Sequence, residues 1–189
     1  MGSPPSPPLI LASTSPQRRA ILEQLQIPFE VVAPDYDEVP GTGPLERARG
    51  KAHSVEPDER PVLGVDTEVV FGGELLGKLA NDAEAEAMLE QLSGTTHEVV
   101  SGLCLRTRAW EEVGTETTVV TFRVLTPRDL GHYVASNEWD GRAGGYAIQG
   151  LGASLVEKIE GDFLNVVGLP GSLLVRLLAT RFSGVYGFG

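Results

Sequence analysis

The chain has 189 residues, 41% of them hydrophobic, with 26 acidic against 15 basic side chains and a net charge of −11. That length suits one domain with a sizeable core, and the charge argues against nonspecific affinity for nucleic acid or an anionic membrane. The single cysteine, Cys104, excludes an internal disulfide, and no apolar run reaches the roughly 18 residues that a membrane-crossing helix needs.

The opening MGSPPSPP has neither a charged start nor an apolar core, so residues 1–8 are expected to be a disordered leader and the protein cytoplasmic. Leu9 to Ala12 then reads as a buried strand and Ser15-Pro16 as a helix start, with Ser at the N-cap and Pro at N1. The helix is expected over about 16–26, with Ile21, Leu22 and Leu25 on one face. Phe29 to Ala33 reads as a second strand, ending in an acidic turn at 34–38. Residues 44–55 look helical, with Pro44 at N1 and with Arg47 and Lys51 on one face, four residues apart. Pro61 to Val65 reads as an apolar strand that delivers Asp66-Thr67 at its C-terminal end.

A hairpin at 68–77 turns at Gly72-Gly73 and is followed at once by Lys78. Asn81 caps a helix at 82–92, with Glu84 closing a capping box and Gly94 as the stop. Strands are expected at about 96–107 and 115–124, and a helix from Thr126-Pro127 to Ala135. Gly141 to Gly152 carries too many glycines for helix or strand and reads as a shaped loop. Leu155 to Ile159 reads as a strand and Pro170 to Thr180 as the closing helix, leaving 181–189 as a weakly specified tail. Helices alternate with strands at first and strand pairs then intervene, which predicts an α/β fold with a mixed, twisted sheet and flanking helices, in one domain spanning 9–180.

Chemistry concentrates in a few places. Ser13, Thr14 and Ser15 lie between strand and helix start, with Arg18 or Arg19 one turn in, which suits an anion and most plausibly a phosphate; an ordinary loop with two solvated arginines fits that stretch equally well. Asp66, after a buried strand, is suited to hold a metal or take a proton from water, or else to cap a turn. Glu38, with Asp35 and Asp37, is a second acidic focus, and two acids from separate segments can share a Mg²⁺. The chain has only three lysines, of which Lys51 and Lys78 are placed to meet a triphosphate. Gln149, in the glycine loop, is suited to reading a base edge or to stabilising the turn. His53, His97 and His132 show no metal spacing and are expected to be structural or exposed.

The blocks LILASTSPQRRAIL at 9–22, PFEVVAPDYDE at 28–38, GVDTEVV at 64–70, GELLGK at 73–78, LSGTTHEVVSGLCL at 92–105, TFRVL at 121–125, GGYAIQGLGA at 144–153 and VVGLP at 166–170 resemble, in that order, the Maf family. These are nucleoside triphosphate pyrophosphatases first named for septum formation. The resemblance implies two lobes around a central cleft, as in ITPase-like house-cleaning enzymes. It also implies hydrolysis of a nucleoside triphosphate to monophosphate and pyrophosphate with a divalent cation, Mg²⁺ or Mn²⁺. It makes Asp66 the general base, with Glu38 beside it around the metal. It gives Ser13, Arg18, Lys51 and Lys78 to the phosphates, and Gln17, Thr67 and Gln149 to base preference. A homodimer is also implied, with neither nucleic acid nor membrane as partner. Lys78 and Gln149 match the dTTP/UTP branch rather than the branch preferring 7-methyl-GTP, whereas Gln17 stands where that first branch has an arginine, Leu79 where the family usually has proline, and Glu68 adds an acid beside Asp66. Two other readings stay open: a nucleotide-sensing regulator without turnover, and a phosphatase releasing orthophosphate.

Overall fold

In the computed structural model residues 7–39 and 41–189 are described. The expected leader falls on residues 1–6, outside the described residues, and on Pro7 and Pro8, which are exposed. In chain order the elements are β1 (Leu9–Ala12), α1 (Pro16–Gln24), β2 (Phe29–Val32), α2 (Pro44–His53), β3 (Val62–Phe71), β4 (Glu74–Leu76) and α3 (Asp82–Leu92). There follow β5 (Thr96–Arg106), β6 (Glu111–Phe122), α4 (Pro127–Val134), β7 (Val156–Glu160), α5 (Phe163–Val167) and α6 (Gly171–Arg181). Two 3-10 turns, Ala143–Gly145 and Leu151–Leu155, bracket the glycine-rich segment.

The strands form one mixed sheet in the order β2-β1-β3-β5-β6-β7, with β4 paired to β3. β1 runs parallel to both β2 and β3, while β3–β4 and β6–β7 are antiparallel. The α/β class with a mixed sheet and flanking helices is therefore as expected. The chain divides into two compact units: one takes in the residues up to Thr67, Ser101–Glu116 and Gly168–Gly189, the other Glu68–Val100 and Thr117–Val167.

In the first unit, Ser15 caps α1 by accepting a hydrogen bond from Arg18 N at 3.4 Å. The helix stops at Gln24, earlier than expected, because Gln26 turns to φ 55° and Ile27 N returns to Leu22 O at 3.0 Å. This is the paired closure of a Schellman end, with a glutamine where glycine is usual and with buried Ile27 as its apolar residue. Leu25 is thereby left at the cap and only half-buried. α2 lies hard against the sheet: a Cβ on Gly64 would sit 2.2 Å from Ala48 O and 2.8 Å from the Ala52 Cβ, so only glycine admits this approach. Ile10, Ala12, Ala52, Val55, Val62 and Cys104 form the core beneath it.

β3 does not end at Val65. It continues through Asp66 and Thr67 to Phe71, since Val69–Phe71 pair antiparallel with β4. Pairing with β1 covers only Val62–Gly64, so Asp66 emerges two residues beyond that parallel ladder, still within a strand.

In the second unit the apolar core joins Leu89 and Leu92 of α3, Val120 and Phe122 of β6, Tyr133 of α4, Trp139 and Tyr146. Asn81 caps α3 as expected, but Glu84 reaches Ala80 N at 2.9 Å and Asn81 Nδ2 rather than the cap's own N–H. The full capping box belongs to α4, between Thr126 and Asp129. The short α5, absent from the sequence reading, starts on Asp162, whose Oδ1 accepts from Leu164 N at 2.8 Å. No helix among the described residues is long and apolar enough to cross a membrane.

Candidate active site

The close approach of α2 to β3 brings three charged groups together. Arg47 Nε donates to Asp66 Oδ2 at 2.6 Å, and Lys51 Nζ to Asp66 Oδ1 at 2.5 Å. Lys51 Nζ also reaches Glu38 Oε1 at 2.9 Å. Helical spacing explains why one strand residue meets both cations, since positions 47 and 51 lie one turn apart, each next to a residue, Ala48 or Ala52, that rests on Gly64. Glu38 is delivered by Tyr36, whose ring covers Gly50; a Cβ there would lie 2.1 Å from the ring. The Lys51 and Asp66 side chains are 13% and 9% exposed and Glu38 is 61% exposed, so one end of the bridge is sheltered and the other wet.

The β1–α1 loop brings together Ser13, Ser15 and Arg18, the groups whose composition suits an anion. Ser13 is buried, and its Oγ accepts from Ser15 N at 3.2 Å and from Arg18 Nη1 at 3.1 Å. Arg18 Nε donates to Gly168 O at 3.0 Å. Burial lowers the Arg18 pKa and the charges of Asp66 and Glu38 raise it, so those carboxylates share its field. Thr67 Oγ1 donates to the same Gly168 carbonyl at 3.2 Å and so accepts from Ser101 Oγ at 2.8 Å. Gln17, in the first turn of α1, turns its side-chain oxygen to Ser15 Oγ at 3.0 Å.

The remaining two candidates lie in the second unit. Lys78 follows β4 and is exposed, as is Gln149 between the two 3-10 turns. Their loops touch, for Gly144 N donates to Gly77 O at 3.4 Å. The glycine segment is pinned on both sides of Gln149. Ala147 N donates to Tyr133 Oη at 3.0 Å, Tyr146 Oη meets His97 Nε2 at 2.8 Å, and Glu138 accepts from Leu151 N at 2.9 Å and Gly152 N at 3.3 Å. His97 is thus structural, and burial drops its pKa to about 4. His132 is exposed, and His53, also exposed, pairs with Glu111. Cys104 is buried, with its thiol pushed up to about 12 by burial and by Glu111.

Sequence reasoning missed Arg47 and Gly168. Arg47 was legible only as a face-mate of Lys51, and Gly168 acts through its carbonyl, which no side-chain pattern reports. As a metal site, the described residues offer no cluster of three or more His, Cys, Asp or Glu side chains. They do offer two carboxylates converging on one cation. That donor set fits Mg²⁺ or Mn²⁺, hard ions that take one or two carboxylates and complete their shell with water and phosphate oxygens.

A family model described as Maf-like protein matches residues 8–181. A dTTP/UTP pyrophosphatase of Deinococcus radiodurans is 45% identical over 97% of this chain and 97% of its own length. Relatives with the same name from Myxococcus xanthus and Alcanivorax borkumensis are 47% and 44% identical, each over 90% of this chain and over 90% and 93% of their own lengths. The matched span takes in every candidate from Ser13 to Gln149, and identity of this order over so much of the sequence means that the chain belongs to the Maf-like protein family.

Proposed function

We propose that this protein is a nucleoside triphosphate pyrophosphatase that converts dTTP or UTP to the monophosphate and pyrophosphate. The observation that carries this reading is the convergence of Glu38 and Asp66 on Lys51 Nζ. A nucleotide sensor would need the Ser13–Arg18 end alone, whereas a carboxylate pair held by a displaceable ammonium suits a hydrolase. The names of the relatives support the same activity.

Ser13 Oγ and the Arg18 guanidinium bind phosphate oxygens. Lys51 moves its ammonium from the carboxylates onto the phosphate chain, a shift its flexible stem allows. Asp66, with Oδ1 released, takes the proton of the water that attacks the α-phosphorus. The bond that forms joins the water oxygen to that phosphorus. The bond that breaks is the one to the oxygen bridging to the β-phosphorus, and pyrophosphate leaves with its electron pair. Arg18 and Lys51 balance the leaving charge. On the family resemblance Lys78 adds a further point charge, and Gln17, Thr67 and Gln149 set base preference. Glu38 and Asp66 would hold a divalent cation, which supplies neutralisation of phosphate charge. The reaction belongs in the cytoplasm, and the homodimer that the resemblance implies is read by light scattering.

The test is incubation with a panel of nucleoside triphosphates and Mg²⁺ or Mn²⁺, with pyrophosphate and orthophosphate assayed separately. Pyrophosphate from dTTP or UTP is expected. Preference for 7-methyl-GTP or another base would move the specificity to Gln17, orthophosphate would make the protein a phosphatase, and binding without release would make it a sensor. Asp66→Asn is expected to lower turnover by about 10²–10⁴-fold, the usual worth of a general base, with nucleotide binding still measurable.

A further inference from the structure

We propose that Arg47 is the positioning residue of the reaction, fixing Asp66 Oδ2 so that Oδ1 alone exchanges between Lys51 and the incoming reactants. The inference rests on the pyrophosphatase reading and adds to it a residue for which neither the resemblance nor the sequence pattern gave a role.

The two cations on Asp66 are built differently. Arg47 is clamped at two points, with Nε on Asp66 Oδ2 at 2.6 Å and Nη1 on the Thr42 carbonyl, and its side chain is 11% exposed. Its planar fork cannot let go of one partner without straining the other. Lys51 is a point charge shared with Glu38, whose own end is 61% exposed. A triphosphate therefore draws Lys51 away and leaves Arg47 in place. Thr42 lies in the segment after Glu38, so the same guanidinium ties the Asp66 strand to the stretch of chain that carries the second carboxylate. α2 rests on Gly64 and cannot back away from β3 without opening the core, which keeps the clamp in register. Held in this way, Asp66 stays aimed after Lys51 has left, as a base must be to take a proton in line. Misplacement of a catalytic group by about 1 Å can cost about 10²-fold in rate.

The test uses Arg47→Met, which keeps the buried stem and removes the charge, and Arg47→Lys, which restores charge without the two-point clamp. Three quantities are read: kcat, KM, and the affinity of the nucleotide-free protein for Mn²⁺, followed by the electron paramagnetic resonance of the free ion. Arg47→Met is expected to lose about 10²-fold in kcat with KM within about 3-fold, the signature of a lost transition-state contribution. It is expected to bind Mn²⁺ at least about 3-fold more tightly, because one of the two positive charges opposing the ion at Asp66 has gone. Arg47→Lys should return Mn²⁺ affinity to the wild-type value and leave kcat low. A rise in KM with kcat retained would make Arg47 a phosphate ligand and overturn the proposal. So would full recovery of kcat in Arg47→Lys, or a drop in melting temperature with kcat and Mn²⁺ affinity both unchanged. If Arg47→Met does not fold, the kcat of Arg47→Lys decides alone. If the wild-type protein releases no pyrophosphate, the activity reading fails, yet the Mn²⁺ comparison still separates a residue that sets Asp66 from one that does not.

Discussion

Replacing Lys51 with Met removes the ammonium and keeps most of its stem, so the change isolates the charge that Glu38 and Asp66 share. Breaking a buried ion pair by deleting one partner costs about 3–5 kcal/mol, whereas an exposed pair is worth about 0–1 kcal/mol. The Asp66 end of this bridge is sheltered but keeps Arg47, and the Glu38 end is mostly exposed. The cost should therefore fall below the buried range, at about 2 kcal/mol, and for a chain of this size that lowers the melting temperature by about 4–8 °C. Mn²⁺ should reverse the loss. An ion at a hundred times its dissociation constant stabilises by about 2.7 kcal/mol, enough to offset the missing ammonium. In the wild-type protein the same ion must first displace Lys51 and should raise the melting temperature less. The assay is thermal unfolding of both proteins in EDTA and across a Mn²⁺ titration, without nucleotide. A variant as stable as wild type and equally indifferent to Mn²⁺ would refute the idea that the ammonium holds the two carboxylates together.

A second expectation concerns pH. His97 is buried with its Nε2 on Tyr146 Oη and, among the described residues, no hydrogen-bond partner for Nδ1, and burial holds its folded-state pKa near 4, below the unfolded value of about 6.5. The unfolded chain then binds more protons between those values, so stability is fully present above about pH 6.5 and is lost toward pH 4, by up to about 3 kcal/mol. In denaturant melts from pH 7 to 4, His97→Gln should lack that share of the decline; parallel curves for the two proteins would remove His97 from the account. Lys78→Ala should raise KM for triphosphates by about 10-fold, the loss of roughly 1.4 kcal/mol of binding, and kinetics equal to wild type would take Lys78 out of the site.

The parts of this structure that the sequence made legible are those where a local rule acts without competition. Ser15-Pro16 starts α1, Pro44 starts α2 and Thr126-Pro127 starts α4, each because proline at the first turn costs nothing and the preceding residue takes extended geometry. The misread boundaries share another cause. The apolar run predicts that β3 stops at Val65, but its continuation is set by pairing with β4, a tertiary fact with no local marker. β6 begins at Glu111 rather than 115 for the same reason, since the turn closed by Thr107 N on Trp110 O folds the polar EEVG stretch into the hairpin. The sequence pattern runs α1 two residues too long because a left-handed glutamine at 26 is not something that propensity reports. Among the candidate site residues, the logic of a helix start singles out Ser13 and Arg18, and its place after an apolar strand singles out Asp66. Arg47 was invisible because its role depends on how closely α2 packs, and that closeness is decided on another strand, at Gly64.

The charge balance also bears on how an acidic protein would take the polyanion of the proposed function. In the first unit three cations, Arg18, Arg47 and Lys51, stand among two carboxylates, Glu38 and Asp66, so the cluster carries one net positive charge while the whole chain carries −11. Long-range attraction for a triphosphate is therefore absent, and affinity must arise from short contacts made inside the cluster. Those contacts are already occupied in the free protein, Lys51 by its carboxylates and Arg18 by Ser13 and Gly168. On that reading each phosphate contact made by Lys51 would expose a carboxylate that needs a new positive partner. On the proposed function, binding of the nucleotide and of a divalent cation at Glu38 and Asp66 would for that reason be coupled in the same direction, and by linkage each would strengthen the other by an equal factor.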